Sequence, residues 1–301
     1  MDRSRARAGA LILAGLAVAG AAAANRFPLR EARWTAPAAL PRALIEAPPE
    51  CLRKARTAEE ARTVAIGRTA FRTPMLLGGQ AARVGLSCAT CHVNGRGNPH
   101  FLFPGLSGPP GTADVTSSLM SSHRGDGVFN PKPIPDLAGP PGHLKVSRTE
   151  PGKLEAFIHG LVTEEFDGPE PSPEVLAGLA AYVRALETAA CPRGAAAVRL
   201  RDRLDEIDAA IALARTSGGE TRRLLLAAAR STLGAIDERF TGLDADRALL
   251  READADLAAI RQGRTGFARW DSLWPVRKRR LIGDESRSLY ARQKVAAALR
   301  P

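Results

Sequence analysis

Gly85-Leu86-Ser87-Cys88-Ala89-Thr90-Cys91-His92 is the stretch from which the rest of the chain can be read, because it ends in a Cys-x-x-Cys-His run. Two thiols three positions apart can bond covalently to the two vinyl groups of one haem. The histidine that follows, His92, then rises beneath the iron as its proximal ligand. A zinc site would want a second cysteine pair, and the remaining cysteines, Cys51 and Cys191, stand alone. A thiol redox pair would want a strand–helix–strand setting, which the surrounding pattern lacks. The expectation is therefore one covalently bound haem c on Cys88, Cys91 and His92.

The N-terminus agrees with that chemistry. Arg3, Arg5 and Arg7 precede an apolar run from Ala8 to Ala24, which closes on Ala22-Ala23-Ala24. This is the form of a signal peptide over residues 1–24, with an uncleaved anchor as the alternative. Either places the body outside the cytoplasm, in the periplasm, where Cys51 and Cys191 are expected to form a disulfide. The formal charge is +11, and losing three Arg and one Asp with residues 1–24 leaves +9. An exported basic chain with only 5% aromatic residues suits an acidic redox partner or an anionic membrane surface rather than nucleic acid.

The organisation is all-α. Residues 25–50, rich in Pro, Ala and Arg, read as a linker or surface arm. Residues 51–191 form the haem domain. Thr57 and Glu60 have capping-box spacing at the start of a helix that runs through Gly67 and Phe71 and stops before Pro74. Residues 92–151 are dense in Gly and Pro, so regular structure there must be short, and such a loop can wrap a haem. A helix follows near Pro151. Another begins at Ser172 as N-cap and carries Leu176, Leu179, Val183 and Leu186.

Residues 192–262 place Leu200, Leu204, Ile207 and Ile211, then Leu225, Ala228, Leu233, Ile236 and Phe240, at helical spacing. Breaks at Gly218-Gly219 and Gly242 divide three amphipathic helices, the third capped by Asp244, as in an antiparallel bundle. Residues 263–301 read as a basic tail. Its Arg277-Lys278-Arg279-Arg280 run is either a solvated face or a docking patch.

Residues of about 57–190 resemble a class I c-type cytochrome domain, on Gly67-x-x-x-Phe71, the haem motif and Leu179-x-x-Tyr182-Val183-x-x-Leu186. The resemblance implies that the first and last helices cross closely where the glycine admits an aromatic side chain. Ile66 to Phe71, Gly85 to Cys88, and Phe129-Asn130-Pro131-Lys132-Pro133-Ile134-Pro135-Asp136-Leu137 are similar to the bacterial di-haem cytochrome c peroxidase superfamily. Its members carry two haem motifs and this chain carries one.

The class implies a methionine opposite the histidine. Met120 lies in the right loop, whereas Met75 precedes the motif and is expected to pack. His123 and His143 are the alternative ligands, and His100 and His159 also follow the motif. Two functions follow: single-electron transfer by a six-coordinate haem, with the C-terminal module docking a partner, or a peroxidase-like enzyme with an exchangeable sixth position. In the second, Glu164 or Glu165 would act as the distal base, although paired acids in a polar stretch are usually solvated.

Overall fold

The computed structural model describes residues 27–116 and 119–300, so the expected signal peptide at 1–24 lies outside the described residues. The molecule is mostly helical, 58% helix against 4% strand.

Helix α1 (Leu40–Ala43) belongs to the N-terminal segment, and α2 (Ala58–Phe71) opens the haem-motif unit. At its start Thr57 Oγ1 accepts from Glu60 N at 3.0 Å. Glu60 Oε2 reaches one residue further back than a capping box would, to Arg56 N. Three short helices follow: α3 (Pro74–Leu77), α4 (Gly79–Val84) and α5 (Cys88–Cys91). The Gly/Pro-rich stretch contributes only two-residue strands and single turns. Strand β1 (Glu46–Ala47) lies before it, and within it β2 (Thr112–Ala113) pairs antiparallel with β3 (Lys132–Pro133). Helix α6 (Lys153–Gly160) runs into a π-helical turn at Leu161–Glu165, and α7 (Pro173–Ala185) closes the unit, capped by Ser172 Oγ on Val175 N.

The crossing of α2 and α7 differs from what the resemblance implies. A Cβ on Gly67 would lie 1.8 Å from Gly178 O, so the glycine admits a neighbouring backbone rather than an aromatic ring. One turn along each helix, Phe71 and Tyr182 meet ring to ring at 5.1 Å. Cys51 and Cys191 are disulfide-bonded, and Glu187 N donates to Cys51 O beside them, so the two ends of the unit are tied together.

After β4 (Ala196–Ala197) come α8 (Leu200–Thr216), α9 (Gly219–Arg239), α10 (Asp244–Arg261), α11 (Ala268–Asp284) and α12 (Arg292–Ala298). Every apolar position expected to face the core of α8 and α9 is buried. Leu243 rather than Asp244 is the N-cap of α10, which leaves Asp244 in the first turn, where its charge suits the helix dipole.

Two expectations need correction. The basic tail is not a tail: α11 adds a fourth helix to the bundle core through Trp270, Trp274 and Leu281, the two indoles stacked at 4.7 Å. Its basic run is spent internally. Arg277 is buried and paired with Asp256 and Glu252, Lys278 with Asp208, and Arg280 with Asp246 and Asp284. Among the described residues Arg279 alone of the four has no ion pair.

The linker is likewise a strap. Leu29, Ala32, Leu40 and Leu44 are buried with Leu289 and Val295, Trp34 enters the core of the haem-motif unit, and β1 pairs antiparallel with β4. Its apolar residues are spread over 3-10 turns and α1, which is why no single period marks them.

A partly buried polar network joins the two bodies. Glu50 accepts from Arg68, Arg72 and Tyr182, and Arg72 also pairs with Glu206 of α8, which Arg203 holds from the other side. Burial alone would raise the Glu206 carboxyl. The guanidiniums of Arg203 and Arg72 outweigh it and hold the group at about 2.

Candidate functional site

Ser87 and Thr90 cap α5: Ser87 N donates to Thr90 Oγ1 at 3.0 Å, and Asn98 Nδ2 donates to Thr90 O. This fixes the turn that carries Cys88 and Cys91. His92 N then donates to Cys88 O, after which the helix ends. Asn94 and Gly95 both take left-handed conformations, at φ 54° and 73°, and turn the chain beneath the end of α7. A Cβ on Gly95 would meet Leu186 at 2.4 Å, so glycine is needed there twice over, for its φ and for its lack of a side chain. Asn94 is held by Pro48 O and by Arg72.

The three motif residues are together and free for chemistry. Cys88 and Cys91 are unpaired thiols against the main core, and burial pushes both up to about 12. A thiol redox pair needs the opposite, a lowered value that supplies thiolate at neutral pH. His92 Nδ1 lies 3.0 Å from Pro135 O. A carbonyl only accepts, so Nδ1 carries the proton and Nε2 keeps its lone pair. Burial pushes His92 down to about 4, against the smaller opposing effects of the Pro135 carbonyl and Asp136, and the ring is neutral. Among the described residues no group of three or more His, Cys, Asp or Glu could enclose a metal ion, as a structural zinc would require.

The residues expected to compete as a second ligand divide by burial. Met120 is 2% exposed and belongs to the same core cluster as Phe71, Leu77 and Tyr182. His123 is exposed, with Nδ1 at 2.9 Å from Asp167, and His143 is exposed on a turn at Pro141–His143. His100 is exposed and His159 is paired with Glu170. Met75 does not pack as expected: it is 48% exposed.

The Met120 loop is pinned to the π-helical turn. Ser121 Oγ donates to Glu164 O and accepts from His123 N and Arg124 N, while Asp167 accepts from Ser122 N. In the same turn Glu164 pairs with Arg124 near the surface, as a solvated acid would. Glu165 does not behave that way. It is 6% exposed, burial raises its carboxyl, and its Oε2 has no partner among the described residues. π-helical turns recur at functional sites, which makes this carboxyl the second point of chemical interest.

Sequence reasoning missed the Pro135 carbonyl, since a backbone acceptor leaves no mark in residue types. It also missed Arg96, whose Nε and Nη2 grip Asp136. Two surface clefts, of about 720 and 450 Å³, do not include Cys88, Cys91 or His92. The fit to a covalent haem therefore rests on the donor set: two protonated free thiols on one turn and a neutral imidazole with one nitrogen committed. No protein-family model matches the chain, and no curated protein or solved structure matches it.

Proposed function

We propose that this chain is an exported mono-haem c-type cytochrome that transfers single electrons. Cys88 and Cys91 would hold one haem c through thioether bonds, with His92 Nε2 as the proximal ligand and Met120 as the distal one. The cofactor supplies a reversible one-electron iron couple. The protein's share is to orient His92, keep water from the metal with the apolar core around Phe71 and Met120, and present a surface to partners.

The observation that carries the reading is the His92–Pro135 bond beside two free thiols. A metal-ligating histidine nearly always donates its other N–H to an acceptor of this kind, which fixes tautomer and ring orientation. The Cys51–Cys191 disulfide supports an oxidising compartment and hence export. A charge of +9 after processing suits an acidic partner or an anionic surface, although the Arg277–Arg280 run is largely committed within the bundle.

The test is haem retention. Protein purified from a host that attaches haem outside the cytoplasm should keep its haem stain after denaturing electrophoresis, and Cys88→Ala/Cys91→Ala should lose it. Absence of stain in the unaltered protein would sink the proposal.

One observation favours a second reading, a peroxidase-like enzyme with an exchangeable sixth position: the buried Glu165 carboxyl beside the Met120 loop, whose Oε1 lies 3.7 Å from Arg124 and whose Oε2 has no partner among the described residues. The oxidised spectrum separates the two. A low-spin haem indifferent to cyanide and peroxide favours electron transfer, and a high-spin haem that reacts with both favours the enzyme.

A further inference from the structure

The segment that holds His92 is itself held from three sides. Arg148 donates to Leu137 O and Gly139 O, and Thr188 Oγ1 donates to Ala138 O. Leu137 N donates to Gly95 O, which ties the segment to the chain just past the motif. On the remaining side stands Arg96. Its Nε reaches both Asp136 oxygens at 2.8 Å and its Nη2 lies 2.6 Å from Oδ2, while Nη1 lies 3.0 Å from Cys51 Sγ and 3.4 Å from Cys191 Sγ. Asp136 is the residue next to Pro135, so one guanidinium runs from the disulfide to the peptide whose carbonyl holds His92.

We infer that Arg96 is a positioning residue for His92, with the Cys51–Cys191 disulfide as its anchor. This rests on the haem reading above. The physical argument is one of reach and planarity. A guanidinium offers several donors in a rigid plane, so the forked grip on Asp136 fixes direction as well as distance. Sulfur is a weak acceptor, but these two sulfurs are covalently fixed relative to both ends of the unit, and they stop the guanidinium from swinging. Asp136 in turn accepts from Ala138 N at 3.0 Å, which sets the turn that aims Pro135 O at the ring. The ion pair is partly exposed and contributes little to stability. Its effect lies in where it puts one carbonyl.

The sign of the effect follows. A histidine that donates Nδ1–H to a good acceptor is a stronger electron donor to its metal, and that favours the ferric state. If Arg96 is lost, the Pro135 carbonyl drifts, the bond weakens and the reduction potential rises.

The experiment uses the full-length, haem-loaded protein with Arg96→Gln, Arg96→Lys and Asp136→Asn, each made with and without Cys51→Ser/Cys191→Ser. Arg96→Gln should shift the ferric–ferrous equilibrium about tenfold toward the reduced form, about 59 mV for a one-electron couple. The His92 Nδ1 proton should exchange with solvent faster than in the unaltered protein, because its acceptor is no longer held in place. Arg96→Lys, which keeps a charge on Asp136 but loses the fork and the sulfur contacts, should fall between. Removing the disulfide should raise the potential in the Arg96 protein and leave it unchanged in the Arg96→Gln background.

An unchanged potential and unchanged proton exchange in Arg96→Gln would overturn the inference. So would equal disulfide effects in both backgrounds. If Arg96→Gln fails to mature, Arg96→Lys and Asp136→Asn carry the same test. Loss of haem stain from the unaltered protein is a separate outcome that removes the haem reading itself.

Discussion

The bundle of residues 200–284 and the unit of residues 51–191 are ordered by different means. In the bundle, Leu200, Leu204, Ile207, Leu225, Leu233, Leu250, Leu257 and the Trp270–Trp274 pair form a core from side chains that repeat at helical spacing. In the unit, the two long helices touch through Gly67 and Gly178, and the stretch between them is fastened by single contacts: the disulfide, Arg96 on Asp136, Arg148 on three carbonyls. Distributed apolar contact tolerates a volume-conserving exchange of one member, whereas a point fastening has no substitute. The bundle should therefore be forgiving and the unit brittle.

The sharpest way to break that contrast is at the glycine crossing. Gly67→Ala places a methyl within 1.8 Å of a backbone oxygen that belongs to a packed helix and cannot yield cheaply. Separating α2 from α7 also pulls Phe71 off Tyr182. The expected loss exceeds about 4 kcal/mol, a value reserved for mutations with a named severe mechanism, and insoluble protein counts as the same result. Denaturant titration reads it. A loss below about 1 kcal/mol would mean that the crossing relaxes freely and that the unit is as tolerant as the bundle.

Next in size is a polar fastening placed inside the bundle. Arg277 is buried, with Nη1 on Asp256 and Nη2 on Glu252. Arg277→Ala leaves the Asp256 carboxylate with Arg269 as its remaining partner and should cost about 3 kcal/mol, at the low end of the range for breaking a buried pair. Arg279→Ala, two residues further on but exposed, should stay within about 0.5 kcal/mol. Small effects at both positions would return the whole run to a solvated face and make it available for docking.

These two sites also mark what the sequence could tell. The caps at Thr57 and Ser172, the apolar faces of α8 and α9, and the pairing of Cys51 with Cys191 were legible, because each follows from local spacing or from counting cysteines. Met120 stood out by its place in the loop, and the structure adds that it is the buried one. The strap was not legible, since Leu29, Leu40 and Leu44 gain meaning only against Leu289 and Val295, far away in sequence. Nor was α11, whose Arg277, Lys278 and Arg280 look like surface charge until Asp256, Asp208 and Asp246 are seen opposite them. The same holds for Glu165: paired acids read as solvated, and only the fold shows that one of the two is buried, with one oxygen unpartnered among the described residues.

The junction between the regions has a pH signature. Glu206 sits at about 2 in the folded protein, against an ordinary value of 4.5. A carboxyl lowered by folding contributes stability that is complete above the ordinary value and is lost as pH falls toward the folded one. Stability should therefore decline between about pH 4.5 and pH 2, by at most about 3 kcal/mol from this group. Urea unfolding across that range measures it. Glu206→Gln should be less stable at neutral pH and show a shallower acid decline. An identical decline in the variant would mean that Arg72 and Arg203 do not bind the two bodies through this residue.

The smallest effect is the one that most directly compares the regions, because it repeats the first substitution elsewhere. Gly283 lies near the end of α11, is exposed, and a Cβ there would meet nothing within 4 Å. Its backbone is helical, so alanine adopts the same conformation without strain and restricts the unfolded chain more than glycine does. Gly283→Ala should therefore raise stability by about 0.5 kcal/mol, seen as a small upward shift of the unfolding midpoint with an unchanged denaturant slope. The same exchange of hydrogen for methyl at Gly67 should have the opposite sign and a far larger size. If Gly283→Ala destabilises by more than about 1 kcal/mol, the outer face of α11 is not free in solution. The bundle would then carry a contact there that makes it, too, dependent on a single position.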